Sequence, residues 1–109
     1  MNELEQARKR IDEIDEQIRA LFIERMRGAA EIAAYKQSHG LPIYVPEREA
    51  EVLERHCALI GDPELRSCYE LFQRHLMDIS KEYQRVIISE PDGSPRPACG
   101  GELTVDTEQ

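Results

Sequence analysis

The chain has 109 residues, 40% of them hydrophobic and 33% charged, and its formal net charge is −8. This length suits one domain with a single core, and the acidic balance argues against a nucleic acid or an anionic membrane as partner, because both require a basic surface. The sequence has neither a secretory leader pattern nor a run of about 18 apolar residues that could span a membrane. We therefore expect a soluble protein of the cytoplasm.

Heptad repeats of apolar residues predict that residues 3–37 form one long helix. The two apolar positions of the heptads are held by Leu4, Ile11, Ile18 and Ile32 and by Ala7, Ile14, Leu21 and Tyr35. At 1.5 Å per residue this helix is about 50 Å long, whereas a compact domain of this size has a radius of gyration of about 13 Å. We therefore expect the helix to pack against a second chain.

A shorter helix is predicted next. Gly40 ends the long helix, and the segment "LPIYV" over residues 41–45 forms an extended crossing. Pro46 suits the first position of a helix because its missing N–H needs no partner there. We expect this second helix to end at Gly61.

The third helix is predicted by start signals and by apolar periodicity. Asp62 offers an N-cap and Pro63 suits the first helical position. Its apolar face consists of Leu65, Tyr69, Phe72, Leu76, Ile79, Tyr83 and Ile87. Residues 89–109 are rich in Pro, Gly and acidic residues with little to bury, which predicts a flexible tail. The sequence thus predicts an all-α domain over residues 1–88.

The cysteines and histidines give no support for a disulfide, a metal site or a nucleophile. Cys57, Cys68 and Cys99 are odd in number and lack CxxC spacing, which argues against a disulfide framework and a structural zinc site. We expect Cys57 and Cys68 to be small residues in or near the core. The histidines show no HxxxH spacing within one helix. We therefore expect no metal.

An arginine interrupts the heptad stripe of the first helix. Arg25 holds the position taken by Ile18 before it and Ile32 after it, so its guanidinium starts from the buried side of the helix. A charge buried there without an anionic partner is costly. A lone arginine in such a stripe more often snorkels or pairs with an acidic residue of its own chain, here Glu24, Glu31 or Glu49.

Other polar side chains occupy positions from which they can meet Arg25. Lys36 lies eleven residues further on, about 16 Å away on nearly the same face, so the two cations can close on a small ligand. Arg48 stands in the first turn of the second helix, where the dipole favours acids; alone, it predicts a surface pair with a glutamate. Ser80 and Gln84 lie one turn apart and can turn a hydroxyl and an amide inward. Taken singly, each is more typical of a solvated surface.

Three segments, taken in order, carry a stronger signal. They read "RKRIDEIDEQIRALFIERMRGAAEIAAYK", "PIYVPEREAEVL" and "LMDISKEYQ". They contain an Arg-x(16)-Arg-x(10)-Lys spacing, a Pro-Glu-Arg-Glu helix start and a Ser-x(3)-Gln turn. Together they resemble the all-helical class of chorismate mutases over residues 4–88.

The resemblance implies an intertwined homodimer of three-helix chains whose active sites take residues from both protomers. Arg8 precedes Arg25 by about 26 Å along a rigid helix, so the two cannot share a small ligand within one chain. By the resemblance, Arg8 of the partner subunit and Arg25 bind the two carboxylates of the substrate. Arg48 and Ser80 contribute to the same anionic end.

The implied reaction is the rearrangement of chorismate to prephenate, in the biosynthesis of phenylalanine and tyrosine. It is an intramolecular pericyclic step that needs no nucleophile and no cofactor. By the resemblance, Lys36 and Gln84 donate hydrogen bonds to the ether oxygen of the breaking bond, and Glu49 holds the ring hydroxyl. The chain departs from the family at Val45, where an acid is common, so substrate binding or preference is expected to shift.

Two alternatives stay open. Isochorismate-pyruvate lyase resembles these mutases and eliminates pyruvate from an isomeric substrate; Glu49 favours the mutase. A catalytically silent helical dimer serving as a regulatory or interaction module has no reason to bring the cations together. Family members are often fused to, or associate with, other enzymes of aromatic amino-acid synthesis, so we name such an enzyme as a candidate partner.

Overall fold

The computed structural model describes residues 2–88, and within this range the chain consists of three α-helices without a strand. Helix α1 spans Glu3–His39, α2 spans Pro46–Cys57 and α3 spans Pro63–Ile88. The prediction of an all-α fold with a long, a short and a medium helix is confirmed. The predicted tail and Cys99 lie outside the described residues.

Short-range hydrogen bonds cap both ends of α1. The Asn2 side chain accepts from the backbone N–H of Glu5 at 2.8 Å, and the Glu5 carboxylate accepts from the backbone N–H of Asn2 at 3.2 Å. This reciprocal pair satisfies two N–H groups that the helix itself leaves open. Gly40 ends the helix with a φ of 65°, a left-handed conformation that costs glycine nothing. These caps put Lys36 in the last turn of α1.

Helix α3 holds the chain together. Both α1 and α2 pack against it, whereas α1 and α2 do not pack against each other within residues 2–88. The buried apolar residues are Met26, Ala29, Ala33 and Met77. The buried polar residues, all on α3, are Gln73, Ser80 and Gln84. The face that α3 buries within the chain is therefore largely polar and differs from the predicted apolar face.

The predicted apolar faces are largely uncovered in the single chain. Every residue from 2 to 24 is exposed except the half-buried Ala7. Leu21 of the heptad stripe is 62% exposed, and Leu65 of the third helix is 58% exposed. The molecule measures 54 × 32 × 21 Å, because the first half of α1 extends beyond the other helices. Burying these faces requires a surface from outside residues 2–88.

Helix α2 ends at Cys57, so the prediction that it continues to Gly61 is wrong. The N–H of Ile60 bonds the Cys57 carbonyl at 3.1 Å in a tight turn. The Arg66 guanidinium then donates hydrogen bonds to the carbonyls of Ile60 and Gly61 at 2.8 and 3.1 Å. Leu59 is 79% exposed, so a longer helix would gain no burial from it.

Cys57 is half-buried, whereas Cys68 is exposed, so the prediction that Cys68 lies in or near the core does not hold within the single chain. The reason is that the first turns of α3 are little covered by the other two helices. Between residues 2 and 88 no group of three or more His, Cys, Asp or Glu side chains could hold a metal ion. No helix in that range is both long enough and apolar enough to cross a bilayer.

Candidate active site

A cavity of about 500 Å³ opens between the second half of α1, the start of α2 and the second half of α3. Seven of the eight site residues that the sequence predicts line it, namely Arg25, Lys36, Val45, Arg48, Glu49, Ser80 and Gln84. Apolar side chains, including Ile32, Val52 and Met77, complete its wall. The eighth residue, Arg8, is exposed on the part of α1 that extends away from the cavity.

Arg25 reaches the cavity from α1 and is half-buried. Its guanidinium donates to the hydroxyl oxygen of Ser80, which in turn donates to the backbone carbonyl of Leu76 at 2.9 Å. Burial lowers the pKa of Arg25, and the Tyr69 side chain partly offsets this effect. None of the ion pairs within residues 2–88 includes Arg25. The pairing with Glu24, Glu31 or Glu49 that the sequence favoured for a lone arginine is therefore absent from the described part of the chain.

Gln84 faces the same cavity from α3 and is only 6% exposed. Its amide nitrogen donates to the backbone carbonyl of Ala29 at 3.0 Å, which fixes the orientation of the side chain against α1. Because an amide nitrogen carries two hydrogens, the second N–H can serve another acceptor. Gln84 is thus a positioned donor on the wall of the cavity.

Lys36 lies at the far end of the α1 wall and is half-buried. Its ammonium group donates to the backbone carbonyl of Ile43 at 2.9 Å, which ties the crossing segment between α1 and α2 to the last turn of α1. Within residues 2–88 Lys36 has no carboxylate partner. The ammonium group carries three hydrogens, so the bond to Ile43 leaves two for a ligand.

The start of α2 contributes three residues. Val45 is the N-cap, and its carbonyl accepts from the N–H groups of Arg48 and Glu49 at 3.1 and 3.2 Å. The Val45 side chain makes no capping hydrogen bond, since it is apolar. Arg48 lies 3.3 Å from Glu51 in an exposed pair one turn apart, as its interpretation as a surface residue predicted, yet it also lines the cavity. Glu49 is half-buried.

Lys81 is a cavity residue that the sequence analysis missed. Its ammonium nitrogen lies 3.0 and 3.3 Å from the two carboxylate oxygens of Glu49 and 3.4 Å from Asp78. It also lies 4.3 Å from the centre of the Tyr44 ring, within range of a cation–π contact. Burial lowers the pKa of Lys81, but the hydrogen bonds and charges of Glu49 and Asp78 outweigh burial, so the pKa is raised. Lys81 therefore carries its positive charge at neutral pH.

The cavity is cationic in a chain that is acidic as a whole. Four cations line it, namely Arg25, Lys36, Arg48 and Lys81. Arg48 pairs with Glu51, and Lys81 pairs with Glu49 and Asp78, so Arg25 and Lys36 are the two without a carboxylate partner within residues 2–88. The whole chain has a formal charge of −8. Half-buried cations without a carboxylate partner, here Arg25 and Lys36, attract anions more strongly than fully solvated ones. The site is suited to a small molecule with more than one negative charge.

The chain is similar to several curated proteins over about half its length. A bifunctional chorismate mutase/prephenate dehydratase of Aquifex aeolicus is 49% identical over 55 residues, which are 50% of this chain and 15% of that protein. A T-protein of Haemophilus influenzae is 39% identical over 54 residues, 50% of this chain and 14% of that protein. A chorismate mutase of Methanocaldococcus jannaschii is 42% identical over 55 residues, 50% of this chain and 56% of that protein.

The match therefore spans less than two thirds of the length of each of these relatives. No solved structure matches the chain significantly. The sequence model of one family, described as chorismate mutase type II, matches residues 7–85. This range includes all eight predicted site residues and most of the three helices. The chain belongs to the chorismate mutase type II family.

Proposed function

We propose that this protein is a chorismate mutase that rearranges chorismate to prephenate in the biosynthesis of phenylalanine and tyrosine. The observation that carries the proposal is a cavity in which Arg25, Lys36 and Gln84 converge while neither cation has a carboxylate partner within residues 2–88. Family membership and the names of the relatives support the same activity. On this proposal Arg25 interrupts the apolar stripe because its anion is the substrate.

The anionic end of the substrate is bound by Arg25, Arg48 and Ser80, joined by Arg8 of the partner subunit. The hydrogen bond from Arg25 to the Ser80 hydroxyl supports this assignment, because it fixes the guanidinium before any ligand arrives. Pre-organisation of this kind lowers the entropy cost of holding the reactive conformer. The rearrangement is unimolecular, so holding that conformer is a large part of the catalytic task.

Lys36 and Gln84 donate hydrogen bonds to the ether oxygen as the carbon–oxygen bond breaks. Both side chains are oriented by backbone carbonyls, those of Ile43 and Ala29, and both retain N–H groups for a ligand. Donors aimed at charge that develops in the transition state contribute about 3 kcal/mol each to stabilising it. Neither a nucleophile nor a general base takes part.

Each site is completed by a second copy of the chain in an intertwined homodimer. The long exposed stretch of α1, with an apolar heptad repeat along it, supports this arrangement. Arg8 lies on that stretch, about 26 Å from Arg25 along the helix, so it reaches only the cavity of another protomer. The partner for further association is an enzyme that acts on prephenate, since the Aquifex relative carries a prephenate dehydratase in the same protein.

The test is the loss of chorismate absorbance on adding purified protein, with isochorismate assayed in parallel and the products identified. Formation of prephenate supports the mutase. Release of pyruvate from isochorismate alone replaces the mutase with the lyase. Turnover of neither substrate rejects both enzymes and leaves a helical interaction module.

A further inference from the structure

We propose that Lys81 is a positioning residue of this site: its ammonium group holds the Glu49 carboxylate at the cavity wall, where that carboxylate receives the ring hydroxyl of the substrate. The identity of the substrate rests on the proposed function. The contact itself rests on the geometry, in which Lys81 lies 3.0 and 3.3 Å from the two oxygens of Glu49. A carboxylate offers about four acceptor positions, so Lys81 leaves room for a hydroxyl.

Lys81 is itself held in place by groups from three parts of the chain. Glu49 approaches from α2, Asp78 from the preceding turn of α3, and the Tyr44 ring from the crossing segment. The Lys81 side chain is only 15% exposed, unlike the surface pairs elsewhere, whose arginines are at least half exposed. A lysine fixed on several sides can transmit its position to its partner, whereas a mobile surface lysine cannot.

Lys81 and the residue before it connect α3 to both walls of the cavity. Its neighbour Ser80 binds Arg25 of α1, while Lys81 binds Glu49 of α2. Because α1 and α2 do not pack against each other within residues 2–88, these consecutive residues join the two walls of the site through α3. Removing the second link leaves the Glu49 carboxylate without its partner on α3.

The Glu49–Lys81 pair is shared by two cavities. A second cavity of about 510 Å³ lies between α2 and α3, and Glu49, Met77 and Lys81 line both cavities. The Glu49–Lys81 pair therefore lies in the wall that divides them. Val45 provides no second carboxylate at the start of α2. The ring hydroxyl thus depends on one acceptor, and that acceptor depends on Lys81.

The test compares Lys81→Met, Lys81→Arg, Glu49→Gln and the double variant in the intact protein. We expect Lys81→Met to lower kcat/KM for chorismate about tenfold, the weight of one hydrogen bond to a charged group, mainly through KM. Lys81→Arg keeps the contact and restores most of the activity. In the Glu49→Gln background, Lys81→Met has no further effect, because the carboxylate that Lys81 positions is gone. Arg85→Met, which removes the same charge outside the cavity, leaves kcat/KM unchanged.

A Lys81→Met protein with the kcat/KM of the wild type overturns the proposal. The proposal also fails if Lys81→Met and Glu49→Gln lower kcat/KM independently, so that the double variant shows the product of the two single losses. Crystal structures of the wild type and of one neutral variant, Lys81→Met or Lys81→Gln, test whether Lys81 positions Glu49, and this test does not depend on activity. We expect the Glu49 carboxylate to contact Lys81 in the wild type and to leave this position in the variant. An unmoved Glu49 overturns the proposal even if the wild type converts no chorismate, an outcome that by itself rejects only the proposed function.

Discussion

The replacement Lys36→Met tests the central claim about catalysis, because it removes one cation and little else. Lys36 makes a single hydrogen bond within the chain, to the Ile43 carbonyl at 2.9 Å, and it is half-buried at the end of α1. The loss of one such bond costs about 1 kcal/mol of folding stability. Methionine keeps most of the length and packing of the side chain, so the fold is expected to survive.

The expected effect on catalysis is much larger. A donor aimed at charge that develops in the transition state contributes about 3 kcal/mol. Since about 1.4 kcal/mol corresponds to a factor of ten in rate, the predicted fall in kcat is about 150-fold. The loss appears in kcat and in kcat/KM together, because the ether oxygen gains negative charge only as its bond breaks.

The assay is steady-state loss of chorismate absorbance, with circular dichroism and sedimentation on the same preparations. Arg85→Met serves as control, since it removes one positive charge from an exposed pair with Glu82 outside the cavity. A folded Lys36→Met protein with wild-type kcat would refute the role of Lys36. A rise in KM at constant kcat would show instead that Lys36 binds the ground state and the transition state equally.

Four further outcomes are expected. Ser80→Ala removes the acceptor of Arg25 and destabilises the fold by about 2 kcal/mol, which thermal unfolding at fixed protomer concentration measures; an unchanged Tm contradicts it. Asn2→Ala removes the N-cap of α1 and lowers the free energy of unfolding in denaturant by about 1 kcal/mol. A loss no larger than that caused by an alanine substitution elsewhere on the surface would show that the cap does not stabilise the fold. Sedimentation at micromolar concentration gives a dimer; a compact monomer rules out the shared site. Deleting residues 89–109 leaves kcat/KM unchanged, because every proposed site residue lies earlier in the chain, and a loss of turnover would assign the segment a catalytic role.

The parts of the fold that the sequence predicted well depend on local hydrogen bonds. The third helix begins where expected because the Asp62 carboxylate accepts from the N–H groups of Glu64 and Leu65 at 3.0 and 3.4 Å. The predicted end of α2 was wrong because Arg66, a residue of the next helix, donates hydrogen bonds to the carbonyls of Ile60 and Gly61. A hydrogen bond from one side chain of a later helix adds nothing to the apolar periodicity of the sequence, so the periodicity could not predict this helix end.

The candidate site shows the same division. Arg25, Lys36 and Gln84 were predicted from their spacing and from the family resemblance, and one cavity gathers them. Lys81 was missed because its partner Glu49 is 32 residues away, and the pairing depends on how α2 lies against α3. Nothing near Lys81 in the sequence distinguishes it from a solvated lysine. Whether these residues act as proposed stays a prediction for the assays above.

The exposed first half of α1 bears on how the protein folds in dilute solution. Residues 2–24 gain almost no burial from the rest of residues 2–88, so within this range little packing offsets the entropy lost on ordering this part of the helix. In the proposed homodimer, burial against a second copy makes the last step of folding bimolecular, and its rate then rises with protein concentration. Two variants damaged at different ends of α1, at Arg8 and at Lys36, then complement each other when mixed, because exchange of chains rebuilds one intact site in each mixed pair.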